Sequence, residues 1–162
     1  MGKICVFFGH RDVGESVKGT LMERVEQAII QDGVTEFWNG GYGGFDHLAA
    51  NAVHEIKRRY PDILHCRVYA YPPNNSRIPK RFDRAFCPDY LSEFPDKWRI
   101  PRRNIWMAQQ CDMAITYVNH AESRIYEPLD WMMTAHKPFY NLGIYQPKPY
   151  VPFKSLLYEE ES

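Results

Sequence analysis

The sequence predicts an α/β protein, a single Rossmann-like domain with a mostly parallel sheet and helices on both faces. Three observations predict it. Short apolar runs alternate along the chain with segments whose apolar residues recur at helical spacing. Lys3–Phe8 (KICVFF) is the clearest such run, almost continuously apolar, as in a buried strand. The length of 162 residues fits one ordinary domain and leaves no room for two comfortable ones.

Each element follows from its own pattern. Lys3–Phe8 is a buried strand that meets a loop at Gly9-His10-Arg11. From about Lys18 to Gln31, Leu21, Val25, Ala28 and Ile29 share one helical face, closed by Asp32-Gly33. Thr35–Asn39 is the second strand. Phe45, Leu48, Ala49, Ala52, Val53 and Ile56 then keep strict helical spacing, with Pro61 just beyond. His65–Tyr71 is the third strand. Residues 72–101 read as an irregular, proline-punctuated insertion with a short helix around Phe82–Leu91. A helix is expected from about Arg102 to Gln110, a strand from Asp112 to Val118, a helix from about Ser123 to Ala135, and a last strand at Phe139–Leu142. The domain thus spans about 1–143, and 144–162 reads as an extended tail with prolines and terminal glutamates.

The stretch Phe37-Trp-Asn-Gly-Gly-Tyr-Gly-Gly-Phe-Asp46 is the most informative. It joins a strand end to a helix start through Gly40, Gly41, Gly43 and Gly44. Glycine permits positive φ and close approach, and a helix N-terminus attracts anions. In a parallel sheet, ligands bind beyond the carboxyl ends of the strands. The loops Gly9–Asp12, Gly40–Asp46, Tyr71–Asn75 and Asn119–Glu122 are therefore expected at one edge. Arg11 is placed to clamp a phosphate, or equally to form an exposed ion pair. His10 reads as a polar loop residue or a base. Asp46 reads equally as a partner for a ribose hydroxyl or a catalytic water, and as a first-turn helix acid.

Composition narrows the function. Lys plus Arg equals Asp plus Glu, 20 each, so a whole-surface polyanion binder is disfavoured and a nucleic-acid partner is not expected. Charge is nevertheless uneven. Between Arg77 and Arg103, eight Lys/Arg face four acids, either a solvated surface or a lid over an anion. Cys5, Cys66, Cys87 and Cys111 are too dispersed for a CxxC motif. No signal peptide, membrane span or myristoylation site is visible, so the cytoplasm is the expected compartment. No His/Cys/Asp/Glu spacing suggests a metal, and no cofactor is expected. The glycine turn is not followed by Gly-Lys-Ser/Thr, and Asp46 stands where GxGxxG requires its third glycine.

The combination of strand-Gly-His-Arg, Gly-Gly-Tyr-Gly-Gly-Phe-Asp-His-Leu-Ala-Ala, and Arg103-Asn-Ile-Trp-Met107 ahead of Cys111-Asp112 resembles the SLOG superfamily, the group of Smf/DprA and Lonely Guy proteins. The likeness runs from about Lys3 to Leu142 and is greatest to the YpsA-like branch. It implies a Rossmann-like fold, a nucleotide or nucleotide-derived ligand, and self-association, with Trp106 and Trp131 as dimer-face or core residues. Lonely Guy enzymes release a base from a nucleoside monophosphate with a helix arginine and a loop glutamate. By resemblance these fall on Arg103 and Glu127, although Glu127 reads as well as a first-turn helix acid beside Pro128. The corresponding loop, Asn119-His-Ala-Glu-Ser-Arg-Ile-Tyr-Glu127, lacks that family's glycines, so close backbone approach to a phosphate requires Ser123 and Arg124 to replace those contacts; Asn119 and Glu122 count beside them as candidate ligand-binding residues.

Three readings follow. The first is a binding module that senses or sequesters a nucleotide-derived small molecule at Gly9, His10, Arg11, Gly40, Gly41, Gly43, Gly44, Phe45, Asp46 and Arg103, with Asn119, Glu122, Ser123 and Arg124. The second is a phosphoribohydrolase or N-glycosidase using Arg103 and Glu127. The third, less favoured, is a single-stranded DNA binder of the DprA kind.

Overall fold

The computed structural model describes residues 2–74, 79–120 and 126–144. Six strands form one sheet: β1 (Lys3–Gly9), β2 (Val34–Asn39), β3 (Leu64–Val68), β4 (Arg84–Phe86), β5 (Met113–Tyr117) and β6 (Phe139–Asn141). The connections carry α1 (Lys18–Ile30), α2 (Gly44–Ile56), α3 (Asp96–Gln110) and α4 (Tyr126–Thr134). Every neighbouring pair is parallel, in the order β4-β3-β2-β1-β5-β6. The chain walks outward from β1 to β4, then returns to the other side of β1 for β5 and β6. This reversal opens a crevice at the carboxyl end of β1.

The continuous apolar run of β1 explains the layering. Successive side chains point to opposite faces, so Cys5 and Phe7 join the core beneath α1 and α2, with Leu21, Val25, Phe37, Phe45 and Ile56. Val6 and Phe8 join the other core, with Trp38, Met107, Ala108 and Met132 of β2, α3 and α4. Phe7 stacks on Phe37 at 5.9 Å between centroids. On the opposite face Trp38 stacks on Trp106 at 5.4 Å, and the Phe86 ring stands edge-on to both. Trp106 is therefore a packing residue, whereas Trp131 is 43% exposed.

The 72–101 stretch departs from expectation. Where a short helix was expected around Phe82–Leu91, Arg84–Phe86 forms the edge strand β4, followed by a 3-10 turn at Asp89–Glu93. Tertiary pairing overrides local propensity here. The Asp83 carboxylate accepts from Lys57 Nζ and from the His65 N–H, and the Asp83 N–H donates to the His65 carbonyl at 2.8 Å. This fixes the segment in register beside β3. Helix α3 begins at Asp96 rather than Arg102 and carries Pro101 inside it. A proline removes one intrahelical hydrogen bond. Buried Arg99 anchors that first half of the helix, donating through Nε to the Ala70 carbonyl (2.7 Å) and through Nη1 to the Leu91 carbonyl (2.9 Å). After α4, His136 takes φ 55°, the left-handed conformation common just past a helix end. The expected tail lies outside the described residues beyond Ile144.

Phe37, on β2, has no exposed surface and packs in the core beneath α1 and α2, stacked on Phe7 of β1. Phe37→Ala is expected to cost about 3–5 kcal/mol of stability, measured by urea unfolding. A loss under about 1 kcal/mol would show that the layer does not depend on this ring.

Candidate functional site: a cationic cavity behind a glycine turn

The site is organised from Asp46. Its side chain is 8% exposed. Oδ1 accepts from Asn39 Nδ2 and from the Gly40 N–H, both at 3.1 Å, and Oδ2 accepts from the Gly41 N–H. Burial pushes its pKa above the ordinary carboxylate value, while Asn39, Arg103, the Gly41 N–H and Arg67 pull it back down. Asn39 is held from behind. Its Oδ1 lies 2.6 Å from His65 Nε2, and the Asn39 Nδ2 also reaches the Asp46 carbonyl. An asparagine oxygen only accepts, so His65 carries its proton on Nε2. Burial drives the His65 pKa down to about 3, so the ring is neutral.

The turn thus closes on its own helix. The N-terminus of α2 is likewise occupied: the Gly44 N–H donates to the Arg11 carbonyl (3.0 Å) and the Phe45 N–H to the His10 carbonyl (3.2 Å). The anion-binding backbone amides expected at this turn are largely consumed inside the protein. Its glycines serve close approach of another kind. A methyl group on Gly40 would lie 2.7 Å from Arg103 Cζ, and one on Gly41 would lie 1.7 Å from Arg67 Cζ. Gly41 also has φ 87°, which favours glycine. The turn is a bed for two guanidinium groups.

Arg103, on α3, is only 2% exposed. Nη1 donates to the Gly40 carbonyl (2.7 Å) and the Val68 carbonyl (3.1 Å), and Nε donates to Asn104 Oδ1 (3.0 Å). Nη2 has no acceptor among the described residues. The guanidinium sits 5.4 Å from the ring centroid of Tyr42. Burial lowers its pKa to about 10, so it remains charged at neutral pH. The neighbouring loop is fixed by His10, whose Nε2 accepts from the Asn119 N–H at 2.8 Å. His120 stacks on that ring at 4.3 Å. Burial, then the nearby His120, lower the His10 pKa.

These groups enclose a cavity of about 510 Å³ at the crevice beyond β1. Phe7, Phe8, Ile100 and Tyr42 supply its apolar wall; His10, Arg11, Lys97, Arg103 and Asn104 supply polar groups, with Asp46 at the base and Gly9 and Gly40 at its edge. Three cations meet one carboxylate whose oxygens are already engaged. Asn104 Oδ1 is taken by Arg103, which leaves the amide NH2 as its free group. The wall therefore presents mainly donors. The size is within the range of small-molecule pockets.

Of the residues singled out in the sequence, Gly9, His10, Arg11, Gly40, Asp46 and Arg103 line this cavity. Gly41, Gly43 and Gly44 shape its turn. Phe45 lies in the core against Phe7 and Tyr117. Asn119 acts through His10. Glu122, Ser123 and Arg124 lie outside the described residues. Glu127 is not brought together with Arg103: it is exposed and borders a shallow cleft with Lys97, Trp98 and Pro101. Sequence reading missed Lys97, Asn104, Tyr42, Arg67 and the His65–Asn39 support. Arg67 sits in an ordinary strand pattern, and only the fold carries it to Gly41. Among the described residues no three His, Cys, Asp or Glu side chains gather as a metal set, and no helix is long and apolar enough to cross a membrane.

No protein-family model matches the chain, and no curated protein sequence matches it. Solved structures do. DNA processing protein A (DprA) from Streptococcus pneumoniae superposes with a TM-score of 0.63 at 16% identity, over 99% of this chain and 56% of that one. DprA from Helicobacter pylori, whose structure describes a single-stranded DNA binding mode, superposes with a TM-score of 0.58 at 14% identity, over 98% of this chain and 73% of that one. The Rossmann-like α/β fold is thus shared with DprA proteins. The chain spans little more than half of the longer protein. One expectation is corrected. Neutral net charge was read against a nucleic-acid partner, yet this fold is shared with a protein that binds single-stranded DNA. Net charge does not weigh against a local anion site, because cations are concentrated at the crevice.

The support behind Asn39 has a pH signature. The folded protein keeps His65 neutral down to about pH 3, while the unfolded ring takes a proton near pH 6.5. As pH falls between these values the unfolded chain binds the proton first, so stability declines across that window, by at most about 1.4 kcal/mol per pH unit from this group. Urea unfolding of the native chain and His65→Gln from pH 7 to pH 4 should show a shallower decline in the variant. Identical slopes would remove His65 as the source.

Proposed function

We propose that the cavity binds a nucleotide, with its phosphate toward Arg11, Lys97 and the open Nη2 of Arg103, and its base against Tyr42. One observation carries this reading: a buried guanidinium with unspent donors lines a cavity where cations exceed the single carboxylate. Such a wall suits a ligand rich in acceptors and negative charge. The half-exposed Tyr42 ring (46%) offers a sequence-tolerant stacking surface. The resemblance of Arg103-Asn104 and Trp106-Met107 to the YpsA-like branch supports a nucleotide-derived ligand.

A second reading concerns where the nucleotide comes from. The fold shared with DprA supports a nucleotide that belongs to a single DNA strand crossing the crevice rather than a free molecule. Hydrolysis of the ligand has less support. Asp46, the cavity carboxylate, already accepts three N–H groups, and Glu127 lies elsewhere.

Calorimetric titration with nucleoside monophosphates, beside anisotropy titration with labelled thymidine oligonucleotides at several salt concentrations, separates the two sources. Strand binding should weaken steeply with salt. Chromatography of the same mixtures should show intact ligand; base release that vanishes in Glu127→Gln would replace binding by catalysis. Arg11→Ala is expected to weaken the phosphorylated ligand about tenfold, roughly 1.4 kcal/mol, with little change in melting temperature because the side chain is exposed. Tyr42→Ala should cost roughly 1–3 kcal/mol of binding. Unchanged affinity in both variants would take the ligand out of this cavity.

A further inference from the structure

We propose that the site has a second phosphate subsite at Arg67, across the Gly40–Gly41 turn from Arg103, so that its ligand carries two phosphoryl groups. This rests on the cavity reading above and extends it. Arg67 stands near the end of β3, half-buried, with its guanidinium on Gly41. Its Nε is buried and has no hydrogen-bond partner. Among the described residues neither Nη donates to an acceptor, and no carboxylate pairs with it. Asp46 attracts it, but both Asp46 oxygens are spent on Asn39, Gly40 and Gly41. The Tyr69 ring lies 5.0 Å from its guanidinium carbon.

A guanidinium with a desolvated N–H and no acceptor is costly unless something arrives to accept from it. Arg99 provides the internal contrast. It is buried to a similar degree as Arg103, yet Nε, Nη1 and Nη2 reach the Ala70 carbonyl, the Leu91 carbonyl and Cys87 Sγ. That arginine is finished as a structural element; Arg67 is not. Because Arg103 and Arg67 rest on adjacent glycines, their guanidinium carbons are on the order of 10 Å apart or less. Arg103 is reached from the cavity, whereas Arg67 is not among its lining residues. One phosphate at the cavity therefore leaves Arg67 unpaired, and a ligand with two phosphoryl groups engages both. Two sources share that chemistry: a free nucleoside diphosphate, and consecutive phosphates of one strand.

The test is calorimetric titration of the full chain with thymidine 5′-monophosphate, thymidine 5′-diphosphate, thymidine 3′,5′-bisphosphate and the dinucleotide pTpT. At least one two-phosphate probe should bind about tenfold or more tighter than the monophosphate. Arg67→Gln should abolish that gain while leaving monophosphate affinity within about twofold, and Arg67→Lys should retain part of it. A gain confined to the 5′-diphosphate identifies the free diphosphate; a gain confined to the bisphosphate and dinucleotide identifies strand phosphates. No gain from a second phosphate, a gain that survives Arg67→Gln, or equal weakening of monophosphate and two-phosphate probes would overturn the subsite. Failure of every probe to bind would overturn the cavity reading itself. Melting curves of both variants guard against misfolding, and the comparison of probes on the native chain decides the question without them.

Discussion

The Asp46 carboxylate, buried and accepting from Asn39, Gly40 and Gly41, is the constraint on which the rest of the crevice depends. Removing a carboxylate from water is expensive unless hydrogen bonds and opposite charge replace the hydration. Here both do. Three N–H groups engage both of its oxygens, and the charges of Arg103 and Arg67 stand nearby. The consequence is geometric. The carboxylate pins the two backbone amides, the amides fix the turn, and the turn exposes two glycine faces on which guanidinium groups can lie. His65 and Asn39 extend the same chain of bonds into the sheet, so the turn is braced by β2 and β3 as well as by α2.

This arrangement shifts recognition from backbone to side chains. In phosphate-cradling loops, glycine lets amides approach the ligand. In this protein the Gly40 and Gly41 amides face inward to Asp46, and the Gly44 and Phe45 amides face the loop after β1. What remains for an anion are guanidinium and ammonium groups. Guanidinium forks offer more donors per position than single amides, and in a planar geometry that matches phosphate. The glycines therefore matter at one remove: they make room for the groups that bind.

Much of the fold was legible in the sequence because its signals are local. The continuous apolar run of β1 and the helical spacing of Phe45, Leu48, Ala49, Ala52, Val53 and Ile56 correspond directly to buried surfaces. The stretch from 72 to 101 was not legible, because β4 is set by pairing with β3 and by the Asp83 link to Lys57 and His65, neither of which leaves a periodicity. Pro101 suggested a boundary, yet α3 passes through it because Arg99 ties the helix to Ala70 and Leu91. For the site, Gly-His-Arg, the glycine turn and Arg103 could be gathered at one edge by topology. The inward direction of the amides, the separation of Glu127 from Arg103, and the arrival of Arg67 could not.

Counting cations misleads for the same reason that counting glycines does. The eight basic residues between Arg77 and Arg103 suggested one patch, yet the described members have different fates. Arg99 is buried and its donors are spent within the protein. Arg102 is exposed beside Phe94. Lys97 faces the cavity. Arg103 is as buried as a core residue and still keeps Nη2 unspent. Arg67, outside that run, has spent none of its donors among the described residues. Burial sets the cost of leaving a donor open, and the inventory of partners shows where that cost has not been met from within. Arg24 Nε is buried and unpaired too, but its Nη groups are held by Gln27 and Asp32; in Arg103 and Arg67, burial and open Nη donors coincide on adjacent glycines. That coincidence, rather than overall charge, marks the place where an external acceptor completes the structure.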